Sequence, residues 1–579
     1  MKDIVRLWNR LVGGTYDVVN TNARFKNCPY KDPVCIEKGS IPEKRGAKVG
    51  SRKWAISFAV LGIASFISGI LIFIINPYDL IYRYKIMFGE GGEVFDLWRV
   101  PPVDLYLRVF LWNITNKEEY MSGIDNKLKI QEVGPYVYKE LMSHENITFN
   151  DNFTVSAIPS HPLVFVPEMS EGRLENDTMI LPNIALLSIA QVVSDENSYF
   201  TRLGLNMLIR QIDQQPLVQM TAREFMFNYT NSLMSLGNQF MPGWITFKNL
   251  GLIDRMYDFD GDFETVYTGE DDIKKAGLID MWRGSTKIPQ WEMPCGNVRG
   301  ASDGAKFPAF IEKDEKLLFY RKSMCRAKYL VKVNETVKDS FQSYVYNFQE
   351  DSPETEKCLC YDKSNCFPRG LLDVHGCYYG FPIALSSPHF YNNDPILKAK
   401  VEGVNPDASK HDSYFVIEPK SGVPVELRAN FQINMALRDI TSIAHVDKFA
   451  NMVLPLLWAE FRMYGLPDSL RMRLQLYLHI LPLVTDVLMY TCLIGGFFIL
   501  IYSVYRLTQL KNNTKRRQAP WIHDAPHYIK NTLSSYRSEK DQYNNPTDKE
   551  LETYYTSVII PLTQELEETG ELKRSSATA

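Results

Sequence analysis

Reaction chemistry is what this chain most visibly lacks. No Gly-x-Ser-x-Gly elbow occurs, and no glycine-rich loop ends in Gly-Lys-Ser/Thr, so neither a nucleophile turn nor a phosphate cradle is encoded. Histidine is scarce, nine in 579 residues, and dispersed. His523 and His527 have the spacing of a helical metal pair, but Pro526 lies between them, and they read as part of a solvated tail. His389, within Ser386-Ser387-Pro388-His389-Phe390, has no acid or nucleophile close by in sequence and reads as a packed structural residue. These absences argue against an enzyme and against a resident cofactor or metal. A net charge of −4, from 64 basic and 68 acidic residues, leaves no footprint for nucleic acid. Internal repeats and low-complexity blocks are also missing.

What is present begins with two apolar runs. Trp54–Ile75 carries no charge, and its twenty-two residues at about 1.5 Å each span roughly 33 Å, enough to cross a hydrocarbon core. It is too long, and too far from the start, for a cleavable signal, so it reads as a retained anchor. The second run covers residues 480–505, with Pro482 and Asp486 at its outer end; Asp486 reads as an interfacial residue at the helix entrance. Five Lys/Arg precede the first run in residues 39–53, and two follow it in 76–90. Two precede the second run in 465–479, and five follow it in 506–520. The excess of positive charge on both outer flanks predicts cytoplasmic tails, residues 1–53 and 506–579, around an extracellular or lumenal body of residues 76–479.

Sequons at Asn113, Asn146, Asn152, Asn176, Asn228 and Asn334 all fall within that body, and one more, at Asn512, falls in the tail. Six of the nine cysteines, Cys295, Cys325, Cys358, Cys360, Cys366 and Cys377, cluster there too. Such density means either a metal site or disulfides, and an oxidising compartment favours disulfides, with the pairing left open. Residues 103–112 alternate in the manner of a strand. So do residues 423–434, whose odd positions are Val423, Val425, Leu427, Ala429, Phe431 and Ile433. Tyr414–Ile417 reads as the partner strand, with Glu418-Pro419-Lys420-Ser421-Gly422 as the turn. Residues 184–230 instead follow helical spacing, a helical insert in a β-rich body. The C-terminal tail is polar and expected to lack a packed core. It holds Tyr555-Thr556-Ser557-Val558, whose Tyr555 and Val558 have the form of a sorting motif for an endocytic adaptor.

Several stretches resemble the CD36 family, the class B scavenger receptors: Phe95-Asp96-Leu97-Trp98 with Pro101-Pro102, Trp112-Asn113-Ile114-Thr115-Asn116, and Glu132-Val133-Gly134-Pro135-Tyr136-Val137-Tyr138. The Cys-x-Cys at 358–360, Pro388-His389-Phe390, Glu402-Gly403-Val404-Asn405-Pro406 and Phe431-Gln432-Ile433-Asn434 extend the likeness over about residues 54–505. The long tails are similar to those of long-tailed insect members. The resemblance implies a mixed, mainly β fold: an irregular antiparallel β-barrel ectodomain with a helical apex, anchored by two transmembrane helices. It implies the pairs Cys295–Cys358, Cys325–Cys377 and Cys360–Cys366. It further implies capture of lipids or lipoprotein particles at the apex (184–230) and passage of lipid through an ectodomain tunnel to the membrane. On that reading Arg202, Arg210, Gln211 and Arg223 are apex candidates, Gln211 standing where a relative has a lipid-contacting lysine. Val425, Leu427, Phe431 and Ile433 are candidates for the tunnel wall. The expected residence is the plasma membrane, or the late endosomal or lysosomal membrane. Two alternatives differ in role: an endolysosomal member for lipid export or cargo trafficking, and a two-span ligand-gated channel. The channel is disfavoured because Thr485, Asp486 and Thr491 are too few for a polar pore stripe.

Overall fold

The computed structural model describes residues 46–89, 92–196, 198–233, 250–349 and 367–540. Cys358, Cys360, Cys366, Tyr555 and Val558 lie outside them. Two units emerge from the packing, one of residues 64–497 and one of residues 1–63 with 498–579.

Eighteen strands are formed: Leu105–Ile114 (β1), Leu128–Glu140 (β2), Ser143–Asn150 (β3), Thr154–Ser160 (β4), Leu163–Phe165 (β5), Thr178–Pro182 (β6), Leu217–Thr221 (β7), Glu264–Tyr267 (β8) and Ile279–Trp282 (β9), followed by Leu317–Arg321 (β10), Arg326–Lys338 (β11), Phe341–Phe348 (β12), Leu372–Asp373 (β13), Ile383–Ser386 (β14), Val401–Glu402 (β15), Tyr414–Ile417 (β16), Pro424–Leu437 (β17) and Met452–Met463 (β18). Twelve make one large sheet: nine follow the path β10-β11-β12-β16-β17-β18-β1-β2-β15, with β14 (carrying β13) attached to β17 and β5 to β2; β3-β4-β8-β9 form a second sheet, and β6-β7 pair with each other.

The β-barrel expected from the family resemblance is not there. Among the described residues the large sheet is open: β10 has β11 as its one strand partner and otherwise meets only a single bridge at Ser302, and β15 pairs only with β2, in parallel over two residues. The ends of β2 and β10 meet through side chains instead. Arg321 Nη2 lies 2.6 Å from both carboxylate oxygens of Glu140, and His161 Nδ1 and the Tyr257 hydroxyl complete the carboxylate at 2.6 and 2.8 Å. A buried ion pair leaves room for side chains between the strands, where a closed hydrogen-bonded ladder would not. The fold is therefore mixed α/β with two long apolar helices towards its ends.

The turn joining β16 to β17 shows how local chemistry sets register. Glu418 accepts from the Ser421 amide at 2.7 Å, and the Gly422 amide returns to the Glu418 carbonyl at 2.9 Å. Gly422 has φ of 74°, and a Cβ there would stand 2.1 Å from the Phe307 carbonyl oxygen, so only glycine fits. The strand that follows departs from its sequence pattern. Alternation predicts one polar face open to water, yet Asn430, Gln432 and Asn434 are buried like their apolar neighbours. Polar neighbours meet the last two and the donor end of the first: Asn434 Nδ2 donates to Ser386 Oγ at 3.0 Å, Gln432 Nε2 to Asn434 Oδ1 at 2.8 Å, the His389 amide to Gln432 Oε1 at 3.0 Å, and Asn430 Nδ2 to the Asp412 carbonyl at 3.1 Å.

The main core holds Leu107, Val109 and Leu111 of β1, Ile433 of β17 and Leu457 of β18, with Leu187 and Phe225 from helices. A second core, under the smaller sheet, gathers Phe88, Phe95, Trp98, Val155, Val266 and Ile279. A disulfide joins Cys325 to Cys377, and Cys295 is disulfide-bonded as well.

Among the described residues two helices are long and apolar enough to cross a membrane, within Arg52–Ile86 and Asp468–Asn513. The first ends at Asn76, whose side chain caps the next helix by accepting from the Asp79 amide, and Pro77 opens that helix where no amide donor is needed. The second enters through a widened π turn, Leu476–Ile480, just before Pro482, whose missing N–H leaves a gap in the regular ladder. Large apolar side chains such as Phe73, Phe497 and Phe498 stand exposed along both helices, which fits a lipid surrounding rather than water. Between them, Ser65 Oγ donates to the Cys492 carbonyl at 3.0 Å, and a Cβ on Gly69 would lie 2.7 Å from Leu493, the close approach that small residues permit. The second helix continues to Lys540, beyond the run expected to span. Propagating an established helix is far easier than nucleating one.

Burial alone would raise the Glu140 carboxyl, but Arg321 and then His161 outweigh it and hold the group at about 2. A depressed carboxyl stabilises the fold fully above about 4.5 and loses that contribution only as pH falls towards 2. The pair therefore stays intact at endosomal acidity. Arg321→Met, which strands a buried carboxylate, should cost about 3–5 kcal/mol in denaturant unfolding of the full-length protein at pH 7. The loss should shrink as the pH is lowered from 7 through 4.5, because burial without Arg321 raises the stranded carboxyl above its ordinary value and it takes up a proton.

Candidate functional site

Three helices occupy the insert: Ile184–Asp195, Tyr199–Gln211 and Ala222–Phe227. Asn183 caps the first through the Leu186 amide at 3.1 Å, and Ser198 caps the second through Thr201 at 3.4 Å. The first helix is buried almost throughout. The second buries only Leu205 and Ile209. On its other side Tyr199 is 71% exposed, Phe200 83%, Leu203 43% and Met207 65%. Tyr199, Leu203 and Met207 recur every four residues, and Phe200 lies beside Leu203, so the four share one face. A helix apolar on both sides carries more apolar surface than its own core uses, and a contiguous exposed patch of this kind marks an interaction surface.

The cationic candidates surround this face unequally. Arg202 donates to the Ser194 carbonyl at 3.0 Å, which ties it to the preceding helix. Arg223 is paired with Glu175 at 2.6 Å. Arg210 and Gln211 stand exposed at the C-terminal end of the helix. Helical spacing alone puts Phe200, Leu203 and Met207 on a helix without separating its two faces. Their offset from Leu205 and Ile209 is the signal that separates them.

The interior candidates on β17 are all buried. Val425 packs with Phe341, Val416, Leu466 and Leu470, and Ile433 lies in the main core. Phe431 borders a cavity of about 380 Å³ with Val331, Phe348, Leu385, Asn430 and His411. That volume lies within the range of small-molecule pockets. Leu427 borders a smaller space of about 70 Å³ beside Leu97, Pro102, Val103, Met463 and Leu470. Thus Leu427 and Phe431 face open volume, while Val425 and Ile433 serve packing.

The histidine at the larger cavity belongs to a locked pair. The Asn405 amide donates to His389 Nδ1 at 2.9 Å, so the ring proton sits on Nε2 and points to Glu132 Oε2 at 2.7 Å. Trp458 Nε1 donates to the same oxygen at 2.7 Å. The Asp407 amide likewise donates to His411 Nδ1 at 2.9 Å, and the two rings stack at 4.1 Å. His389 therefore does have an acid partner, Glu132, brought from 257 residues away and invisible to local sequence reading. With both Nδ1 lone pairs occupied by backbone amides, the pair positions loops and is not built to relay protons. Burial, reinforced by the neighbouring His389, pushes His411 down to about 4.

Five of the sequon asparagines, Asn146, Asn152, Asn176, Asn228 and Asn334, are exposed. Asn113 is half-buried, its side-chain oxygen accepting from the Ile180 amide at 3.0 Å.

The family model described as CD36 family matches residues 60–507. Scavenger receptor class B member 1 of Cricetulus griseus is 29% identical over 477 residues, covering 80% of this chain and 91% of that protein. Lysosome membrane protein 2 of Homo sapiens is 27% identical over 423 residues, covering 72% and 87%. Protein peste of Drosophila melanogaster is 27% identical over 422 residues, covering 70% and 75%.

The depressed His411 gives the site a pH signature. An exposed histidine titrates near 6.5, so the unfolded chain takes up a proton that the folded one refuses. Stability is complete above about 6.5 and falls as pH drops towards about 4. The melting temperature of the full-length protein should therefore decline between pH 7 and pH 5, and His411→Gln should reduce that decline.

Proposed function

The chain belongs to the CD36 family, and on that premise we propose that it is a two-span receptor that captures apolar ligands and hands lipid to the membrane. Membrane-integral, non-catalytic lipid-binding receptors and transporters make up this family. The observation that carries the proposal is the exposed apolar face of Tyr199, Phe200, Leu203 and Met207. Burying such a face under a ligand contributes roughly 1.5–3 kcal/mol per side chain, and each ligand CH₂ adds about 0.8 kcal/mol, so an acyl or sterol body needs no covalent step to bind.

The ligand classes that suit such a face are fatty acids, sterols, carotenoids, phospholipids and the surfaces of lipoprotein particles. Arg210 and Gln211 beside it suit an anionic or polar headgroup, and the pairing of Arg223 with Glu175 makes a strongly cationic trap the weaker design. The cavities bordered by Phe431 and Leu427 support an interior route between this face and the membrane. The basic flanks support spans at 54–75 and 480–505 with both tails cytoplasmic. The exposed sequons and the Cys325–Cys377 bridge are consistent with an oxidising compartment for residues 76–479. The long tails support a place among the long-tailed insect members.

A second reading, residence in endolysosomal membranes with a role in lipid export or cargo trafficking, is favoured by the likeness to Lysosome membrane protein 2 and by Tyr555-Thr556-Ser557-Val558. Both readings keep the same ectodomain chemistry and differ in routing.

Lipids co-purified with the full-length protein should be identifiable by mass spectrometry. A double substitution, Phe200→Glu with Met207→Glu, should lower cellular lipid uptake several-fold at unchanged surface expression and melting temperature; unchanged uptake would remove the apical face from the mechanism. Tyr555→Ala should shift the steady-state distribution from endolysosomes to the cell surface when the protein is imaged in cells.

A further inference from the structure

Beneath the smaller sheet, far in sequence from the features above, three donor side chains converge: His144 at the start of β3, Glu264 at the start of β8, and Asp303 in the loop before β10. One ligand atom from each lies within 4.8 Å of the others. Glu264 Oε1 lies 3.0 Å, and Asp303 Oδ2 3.9 Å, from His144 Nε2. We propose that these three residues form a divalent transition-metal site, of the Zn²⁺ class, that ties β3, β8 and the 302–306 loop together.

The donor chemistry favours a metal over a simple ion pair. His144 Nδ1 lies 2.8 Å from the Trp98 carbonyl, an acceptor only, so Nδ1 carries a proton and Nε2 is the ring atom turned towards the two carboxylates, able to ligate a cation that displaces its proton. A ring nitrogen held in this way by a carbonyl, with the other free to ligate, is the usual arrangement around a metal-bound histidine. The Trp98 ring stacks on the imidazole at 3.8 Å and fixes its plane. Glu264 is 1% exposed, yet its Oε1 has no hydrogen-bond donor: the short contact with His144 lacks the alignment of an N–H···O bond. A buried carboxylate oxygen without a donor is costly unless a cation sits beside it.

Asp303 is aimed as well. Its Oδ1 accepts from the Ala305 amide at 2.8 Å, which leaves Oδ2 for the cluster, and its partial exposure provides an entry path. Two ligands at tetrahedral angles on zinc stand about 3.3 Å apart, so the observed separations need only small side-chain movements to close. The buried Lys306 amine donates to the Ala276 and Phe307 carbonyls. One nitrogen and two carboxylate donors without thiolate suit Zn²⁺ or Mn²⁺ better than Cu⁺.

The test is equilibrium dialysis of chelator-stripped full-length protein against Zn²⁺, with bound metal measured by mass spectrometry. Wild type should retain one equivalent more than Asp303→Asn, and more than His144→Gln. Loss of an outer-shell partner alone weakens metal binding about tenfold or more, so loss of a ligand should exceed that. Zn²⁺ should raise the melting temperature of wild type and leave that of Asp303→Asn unmoved. Asp303→Asn decides the matter if His144→Gln fails to fold, since the amide oxygen can still accept from Ala305. Retention of equal zinc by wild type and Asp303→Asn would overturn the site, because the tail histidines are common to both. So would a wild type that binds none there, with the cluster holding only a proton.

Discussion

The pairing of β1 with β18 is the constraint on which the remaining architecture hangs. Tyr106 faces Arg462 and Leu111 faces Leu457, so residues some 350 positions apart are neighbours in one antiparallel ladder. Because the ladder is antiparallel, the chain enters β1 and leaves β18 at the same end. The segments leading in from the first apolar helix and out to the second are therefore brought together without any local instruction in either. Ser65 and Cys492, and Gly69 and Leu493, are in contact as a consequence. Every other strand of the large sheet is added outward from this pair, through β17 on one side and β2 on the other.

Outward growth from a central pair raises the question of the edges, and here polar chemistry replaces the ladder. Glu140 and Arg321 meet in a buried pair, with Arg321 also lying over the Phe461 ring at 3.9 Å. The buried amides of Asn430, Gln432 and Asn434, and the His389–Glu132–Trp458 cluster, do related work within the sheet: each fixes a loop against a strand by satisfying groups that would be costly to leave bare. Buried polar networks of this kind specify one arrangement among many that apolar packing alone would tolerate. Asn430 of this group also lines the cavity beside Phe431.

Much of this was legible in the chain itself, for definite reasons. Uncharged runs announce helices long and apolar enough to cross a membrane because helix formation satisfies every backbone group within the segment. The turn at Glu418–Gly422 was legible because glycine and a short-range carboxylate cap act locally. The β-barrel was not, since resemblance carries a family's expected shape and cannot report whether two particular edges exchange backbone hydrogen bonds. The exposed apolar face of Tyr199–Gln211 was half legible: period gave the helix, but the choice between Leu205 with Ile209 and Phe200 with Met207 as the buried side depends on what packs against it. The acid partner of His389 and the His144–Glu264–Asp303 cluster were beyond reading, because no fixed spacing links residues gathered from separate strands and loops.

Periodicity and motif spacing act over a few residues, and they determined the two long apolar helices, the strand through residues 424–434, the helical insert and the poverty of reaction chemistry. Family motifs spread along the chain determined the kinship. Tertiary structure alone decided that the large sheet stays open, that the polar side of β17 is buried, which arginines are already paired, and which side chains converge beneath the smaller sheet. The reason is the same in each case: these outcomes depend on contacts between residues far apart in sequence, whose free energies no local pattern encodes.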